Sequence, residues 1–138
     1  MKKYKLVIIA LASLLLMSAG CSTDRDVKAN LGEEFSLKSG QVAVISDENL
    51  KIEFVEVTGD SRCPKGVICF WAGEVTAKVA INTGNSLDEL LLTEPGLTNY
   101  PPEQSFHEYK LAYHIEPYPQ AGAEIAEDEY RLHLKISK

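Results

Sequence analysis

EVTAKVAI, residues 74–81, places Val75, Ala77, Val79 and Ile81 on one side of an extended chain and Glu74, Thr76, Lys78 and Ala80 on the other. Successive side chains of a strand point to opposite faces, so strict alternation of this kind marks a half-buried β-strand. The run NTGN at 82–85 supplies the turn residues that end it. The same two-residue period recurs along the chain with turn residues between, and helical periodicity is nearly absent. An all-β antiparallel domain is the expected class.

Upstream of this stretch, EFSLK (34–38) points Phe35 and Leu37 inward, QVAVIS (41–46) follows a Ser39–Gly40 turn, and LKIEFVEV (50–57) follows another turn at 47–49. In the last of these the apolar face passes from Leu50, Ile52 and Phe54 to Val55 and Val57. Such a change of phase predicts a β-bulge or a strand passing between two packed faces. Downstream, LDELLLT (87–93) is a shorter strand. EPGLTNYPPEQS (94–105) reads as a long irregular connection, and Pro101 and Pro102 exclude a central strand there. FHEYKLAYHIE (106–116) turns Tyr109, Leu111, Tyr113 and Ile115 inward. PYPQAGAEIAED (117–128) is a loop, and YRLHLKI closes the chain with Tyr130, Leu132, Leu134 and Ile136 inward. About seven short strands fit a two-layer β-sandwich, with a small closed barrel as the alternative.

The amino terminus reads differently. MKKYK is followed by twelve uncharged, mostly aliphatic residues from Leu6 to Met17, then Ser18, Ala19, Gly20 and Cys21. That is the layout of a bacterial export signal, here residues 1–20. A spanning helix needs about 20 apolar residues, so the segment is expected to be removed rather than retained as an anchor. The small residues before Cys21 resemble the lipobox of bacterial lipoproteins, although Ser18 stands where that box usually has leucine. The resemblance implies that Cys21 takes a diacylglycerol thioether and becomes the new amino terminus. The protein would then be anchored to a membrane on the extracytoplasmic side of the cell envelope. Residues 22–32, polar and aperiodic, read as a flexible tether after the lipidated cysteine, with the β-domain in residues 33–138.

The chain has 138 residues, 14 basic and 20 acidic, for a formal charge of −6. Loss of Lys2, Lys3 and Lys5 with the signal makes the mature chain more acidic still. One domain is expected, and nucleic acid is excluded as a partner. In an oxidising compartment the two cysteines left after lipidation, Cys63 and Cys69, are expected to pair.

Those cysteines lie in DSRCPKGVICFWAG (60–73), which also holds the single tryptophan. Two readings stand side by side. In one, the loop is a structural corner: Asp60 accepts backbone hydrogen bonds, Arg62 stacks on Trp71, and Phe70 or Trp71 plugs the end of the core. In the other, the stiffened loop is a recognition surface presenting Asp60, Arg62, Lys65 and Trp71. Presentation of Lys65 in the manner of small serine-protease inhibitors is a narrower version of the second. The run Asp60, Ser61, Arg62, Cys63, Pro64, then Val67, Cys69, Trp71, Ala72 and Gly73, with Pro117, Tyr118 and Pro119 later, resembles a group of small uncharacterised bacterial secreted proteins and lipoproteins. They share a DSRCP…CxWAG signature. The resemblance implies a β-rich exported domain and assigns no catalytic residue.

The chemistry that could point to an enzyme is missing from the pattern. The cysteines have five intervening residues instead of the two of a thioredoxin-type pair. There is no nucleophile-elbow serine or phosphate-binding glycine loop. His114 and His133 fall on the polar face of the last two long strands, where pairing can set them opposite one another. Two imidazoles alone make an incomplete zinc site, and His107 lies on the other face of its strand. The acidic run Glu124, Glu127, Asp128 and Glu129 lacks the spacing of a calcium loop and reads as a hydrated turn. No metal, no cofactor and no catalytic residue are expected. The reading is an envelope-anchored, non-enzymatic binding or structural domain, with an envelope protein as candidate partner. Metal or small-ligand binding is the alternative.

Overall fold

The computed structural model describes residues 25–138. Nine strands follow one another: β1 (Asp26–Lys28), β2 (Glu34–Lys38), β3 (Val42–Ile45), β4 (Leu50–Asp60), β5 (Glu74–Asn82), β6 (Leu87–Pro95), β7 (Glu103–Phe106), β8 (Tyr109–Glu116) and β9 (Arg131–Ser137). They form a five-stranded sheet in the order β1-β3-β4-β5-β6 and a four-stranded sheet in the order β2-β9-β8-β7. The two sheets pack face to face as a sandwich, and neither closes into a barrel. Short 3-10 turns at Ser46–Glu48 and Glu127–Glu129 are the described helical elements.

The alternation in 74–81 does what its period demands. Val75, Ala77, Val79 and Ile81 are wholly buried, together with Ile52, Phe54 and Leu92 of the same sheet. Against them pack Leu111, Ile115, Leu132, Leu134 and Ile136 of the other sheet, with Leu37. The phase change in β4 is a pair of register shifts against β5, between Phe54 and Glu56 and between Val57 and Gly59. The irregular backbone finds partners outside the ladder. Val57 N–H donates to the Glu127 carboxylate at 3.2 Å, and the Val55 carbonyl accepts from the Ser39 hydroxyl at 2.7 Å.

Two strands depart from the sequence reading because each is too short for alternation to register. From Arg25 onward the expected tether is part of the fold. Asp26–Lys28 runs parallel to β3, Ala29 joins the core, and Gly32 N–H donates to the Ile136 carbonyl at 2.7 Å. The folded domain therefore begins before residue 33. The run 106–116 is also not one strand. His107 takes a left-handed φ of 51°, and the chain doubles back so that Glu103–Phe106 pairs with β8 as β7. This strand lies at a sheet edge, which is the place a preceding Pro101–Pro102 allows. The signal segment and Cys21 lie outside the described residues.

Leu134→Ala, in the fully buried layer, is expected to cost about 2–5 kcal/mol, whereas Leu91→Ala on the exposed face of β6 should stay within about 0.5 kcal/mol of the native chain. Urea denaturation of the two variants checks the packing order.

Candidate functional site

The end of the sandwich where β4 hands over to β5 is organised by one cation. Arg62 is 3% exposed, although an arginine is seldom buried without full pairing. Its Nε and Nη2 donate to the two oxygens of Asp60 at 2.9 and 2.6 Å. Nη1 donates to the Ile115 carbonyl and Nη2 also to the Pro117 carbonyl, each at 2.8 Å. The guanidinium lies 5.0 Å from the centre of the Tyr118 ring. A planar fork of donors suits this many acceptors, which an ammonium would not match. Because Asp60 ends β4 and Ile115 belongs to β8, the side chain ties one sheet to the other.

Asp60 also receives the Arg62 backbone N–H at 3.1 Å and the Tyr130 hydroxyl at 3.2 Å. Burial on its own pushes the Asp60 carboxyl up, but the hydrogen bonds and charge of Arg62, with the Tyr130 bond, outweigh it and hold the group below the ordinary aspartate value. Burial, then the neighbouring Asp60 charge, pushes Tyr130 up to about 12.

Above this clamp the loop is braced on several sides. Ser61 N–H donates to the Glu74 carbonyl at 2.8 Å and Cys63 N–H to the Ala72 carbonyl at 2.9 Å. The Cys63–Cys69 disulfide closes the outer ring. Lys65 bonds through both backbone groups to the 117–123 segment, donating to Pro119 at 2.9 Å and accepting from Ala121 at 3.1 Å. Gly73 holds φ at +70°, and a Cβ there would land on the Ser61 carbonyl. Gly96 N–H donates to the Gly73 carbonyl at 2.8 Å, which brings the 96–102 connection alongside.

What the braced loop presents is apolar. Ile68 and Phe70 are fully exposed, Trp71 is 74% exposed, and Val67 and Leu97 also face solvent. With Tyr118 and Leu97–Asn99 the loop lines a shallow groove. The Tyr118 hydroxyl is buried beneath it with no hydrogen-bond partner among the described residues. Lys65 is the only charged side chain in 63–73, 95–102 and 117–123, in a chain where acids outnumber bases.

The two sequence readings of the loop thus apply to different residues. Asp60 and Arg62 form the structural corner, while Lys65 and Trp71 are on the presented surface. Arg62 does not stack on Trp71 but on Tyr118, because the unpaired Ile115 and Pro117 carbonyls at the end of β8 draw the guanidinium inward. Phe70 and Trp71 do not plug the core, which is already closed by Arg62 and Tyr130. Leu97 and Tyr118 are surface-forming residues that sequence spacing alone did not single out, although Tyr118 lies within the PYP motif of the signature.

A second cluster lies on the outer face of the four-stranded sheet. His114 stands opposite His133 in the β8–β9 ladder, with ring centres 6.3 Å apart. Glu94, only 2% exposed, reaches from the end of β6 to meet His114 Nδ1 at 2.6 Å and accepts the Ile115 N–H at 2.7 Å. Glu116 lies 3.6 Å from His114 Nε2 and 3.3 Å from His133 Nε2, and Glu34 lies 3.6 Å from His133 Nδ1. A cleft of about 380 Å³, walled by Thr98–Pro101, opens beside them. His107 is away from this face, edge-on to Phe106. Among the described residues no group of three or more His, Cys, Asp and Glu side chains is already arranged to hold a metal ion. The acidic run is a turn in which Glu127 serves Val57 and Glu129 accepts the Ala126 N–H at 2.7 Å.

Removing the clamp leaves Asp60 and two carbonyls buried without their donor, so Arg62→Ala is expected to cost about 3–5 kcal/mol in chemical denaturation. The pH dependence has a defined sign. Asp60 is depressed in the folded chain, so its contribution is complete above the unfolded carboxylate value and is lost as the pH falls through the folded one. The stability gap between the native chain and Asp60→Asn should therefore narrow on acidification below about pH 4.

No protein-family model, curated protein or solved structure matches the chain.

Proposed function

We propose that this chain is a lipid-anchored, non-enzymatic binding domain of the bacterial cell envelope, and that the apolar tip of residues 60–73, with Leu97 beside it, is its recognition surface. The observation that carries the reading is the pairing of full exposure at Ile68 and Phe70 with tight bracing of the same loop. Large apolar side chains held out in water have an unfavourable hydration cost, and a contiguous group of them marks a contact surface. A loop already fixed by the Arg62 clamp and the disulfide loses little entropy on binding. Trp71 and Lys65 supply the amphipathic contacts that interfaces favour.

Inhibitor-like presentation of Lys65 is the weaker variant. A protease reads an extended backbone with free N–H and C=O groups, and both of these at Lys65 are engaged by Pro119 and Ala121. Anchoring through Cys21 rests on the apolar signal and the small residues before that cysteine. Since β1 starts at Asp26, the chain from Cys21 would span at most about 18 Å, and the domain would sit close to its membrane.

Two measurements test the reading. Because Trp71 is the single tryptophan, capture of a partner from envelope extract should move its emission to the blue. A Phe70→Ser, Ile68→Ser double variant should lose the partner while its melting temperature stays unchanged. Retention of the same partners by that variant would remove the tip from the account. Labelling of the native host with radioactive palmitate should mark the native chain and leave Cys21→Ser unmarked, and label on both would contradict the anchor.

A further inference from the structure

Independently of the tip, we infer that His114, His133 and Glu116 form a surface site for one divalent transition-metal ion of the zinc class, with Glu94 as the residue that positions His114. The antiparallel register of β8 and β9 puts the two histidines directly across from one another on the outer face. Their two ring nitrogens face different surroundings. Each Nδ1 meets a carboxylate of its own, Glu94 at 2.6 Å for His114 and Glu34 at 3.6 Å for His133. Each Nε2 faces the same third group, the Glu116 carboxylate, at 3.6 and 3.3 Å.

Those spacings are the ones neighbouring ligands of a single ion require. With metal–ligand bonds of about 2.0–2.2 Å, adjacent donors of a tetrahedral ion stand roughly 3.3–3.5 Å apart. Two imidazoles and a carboxylate are also the donor set of an open zinc site that leaves one position for water or ligand. The cleft beside the cluster supplies room for it. What separates the arrangement from a finished site is the gap between the imidazoles, whose centres are 6.3 Å apart. Residues opposite one another in a ladder have Cβ atoms only about 4.5–5.5 Å apart, so rotation of the partly exposed His133 ring closes that gap without moving the backbone or breaking the His114–Glu94 bond.

Glu94 explains why His114 is ready for this. Its carboxylate is buried and fixed by the Ile115 N–H, and because a carboxylate only accepts, the contact selects the tautomer with the proton on His114 Nδ1 and the lone pair on Nε2, the nitrogen nearest Glu116. A carboxylate behind a ligating histidine sets the tautomer and the ring orientation in this way.

The test is isothermal titration of the untagged full-length chain with zinc chloride, and with magnesium chloride for comparison, near pH 7.5. One zinc ion per chain is expected, with no magnesium uptake. His114→Ala and His133→Ala should each weaken zinc binding at least tenfold, and Glu116→Gln likewise. Glu94→Gln should weaken it about 10–100-fold while His133 and Glu116 remain in place. Circular dichroism of each variant confirms folding, and the two exposed histidine variants carry the result if Glu94→Gln does not fold. No zinc uptake by the native chain, or the same uptake by a His114→Ala, His133→Ala double variant, would overturn the assignment.

Discussion

The structure at the loop end depends on a buried ion pair. Taking Arg62 and Asp60 out of water costs several kcal/mol per charge, and the arrangement holds because nearly every donor of the guanidinium has an acceptor. Those acceptors lie at the end of β4, in β8 and just past it, so both sheets contribute. The same contact that closes the core therefore also determines where residues 63–72 stand. A pair of this kind contributes geometry more surely than net stability, since an apolar plug could have closed the core as well. No apolar plug would hold the Pro117 carbonyl and the Tyr118 ring beneath the loop.

From that constraint follows a division between the two sides of the same loop. Inward, polar groups are paired almost without exception, down to the Ser61 and Cys63 amides. Outward, Ile68, Phe70 and Trp71 are held in solvent. The disulfide ring is small, with a sequence separation of 6, and chain entropy credits such a ring with only about 2–2.5 kcal/mol. Its effect is local: it joins the two sides of the tip, Cys63 to Cys69. The outer face of the four-stranded sheet is built on a separate principle, cross-strand register, and its histidines are set by the β8–β9 ladder rather than by the loop.

How much of this was legible in the sequence depends on the range of the interaction involved. Strands β5, β8 and β9 announce themselves because their alternation runs for seven or more residues, and β4 does so over Leu50–Phe54. The phase slip after Phe54 showed the bulge region, and the facing of His114 and His133 followed from counting along two neighbouring strands. Strands β1 and β7, with three and four residues, carry too few alternations to be told from loop. The loop itself was recognisable as special, yet its residues could not be sorted into clamp and tip. Whether Arg62 is buried is decided by carbonyls 53 and 55 positions away, and no local pattern encodes those. Glu94 was equally hidden, since its partners are supplied by a strand of the other sheet.

Amide hydrogen exchange across the loop tests the central claim most directly, because it reads the bracing rather than global stability. If Arg62 holds the loop, the Cys63, Lys65 and Gly96 amides of the native chain exchange slowly. In Arg62→Lys they should then lose that protection, while the Leu134 and Val79 amides keep theirs. Fast exchange at Cys63 and Lys65 in the native chain, or protection there that survives the lysine substitution, would contradict the account.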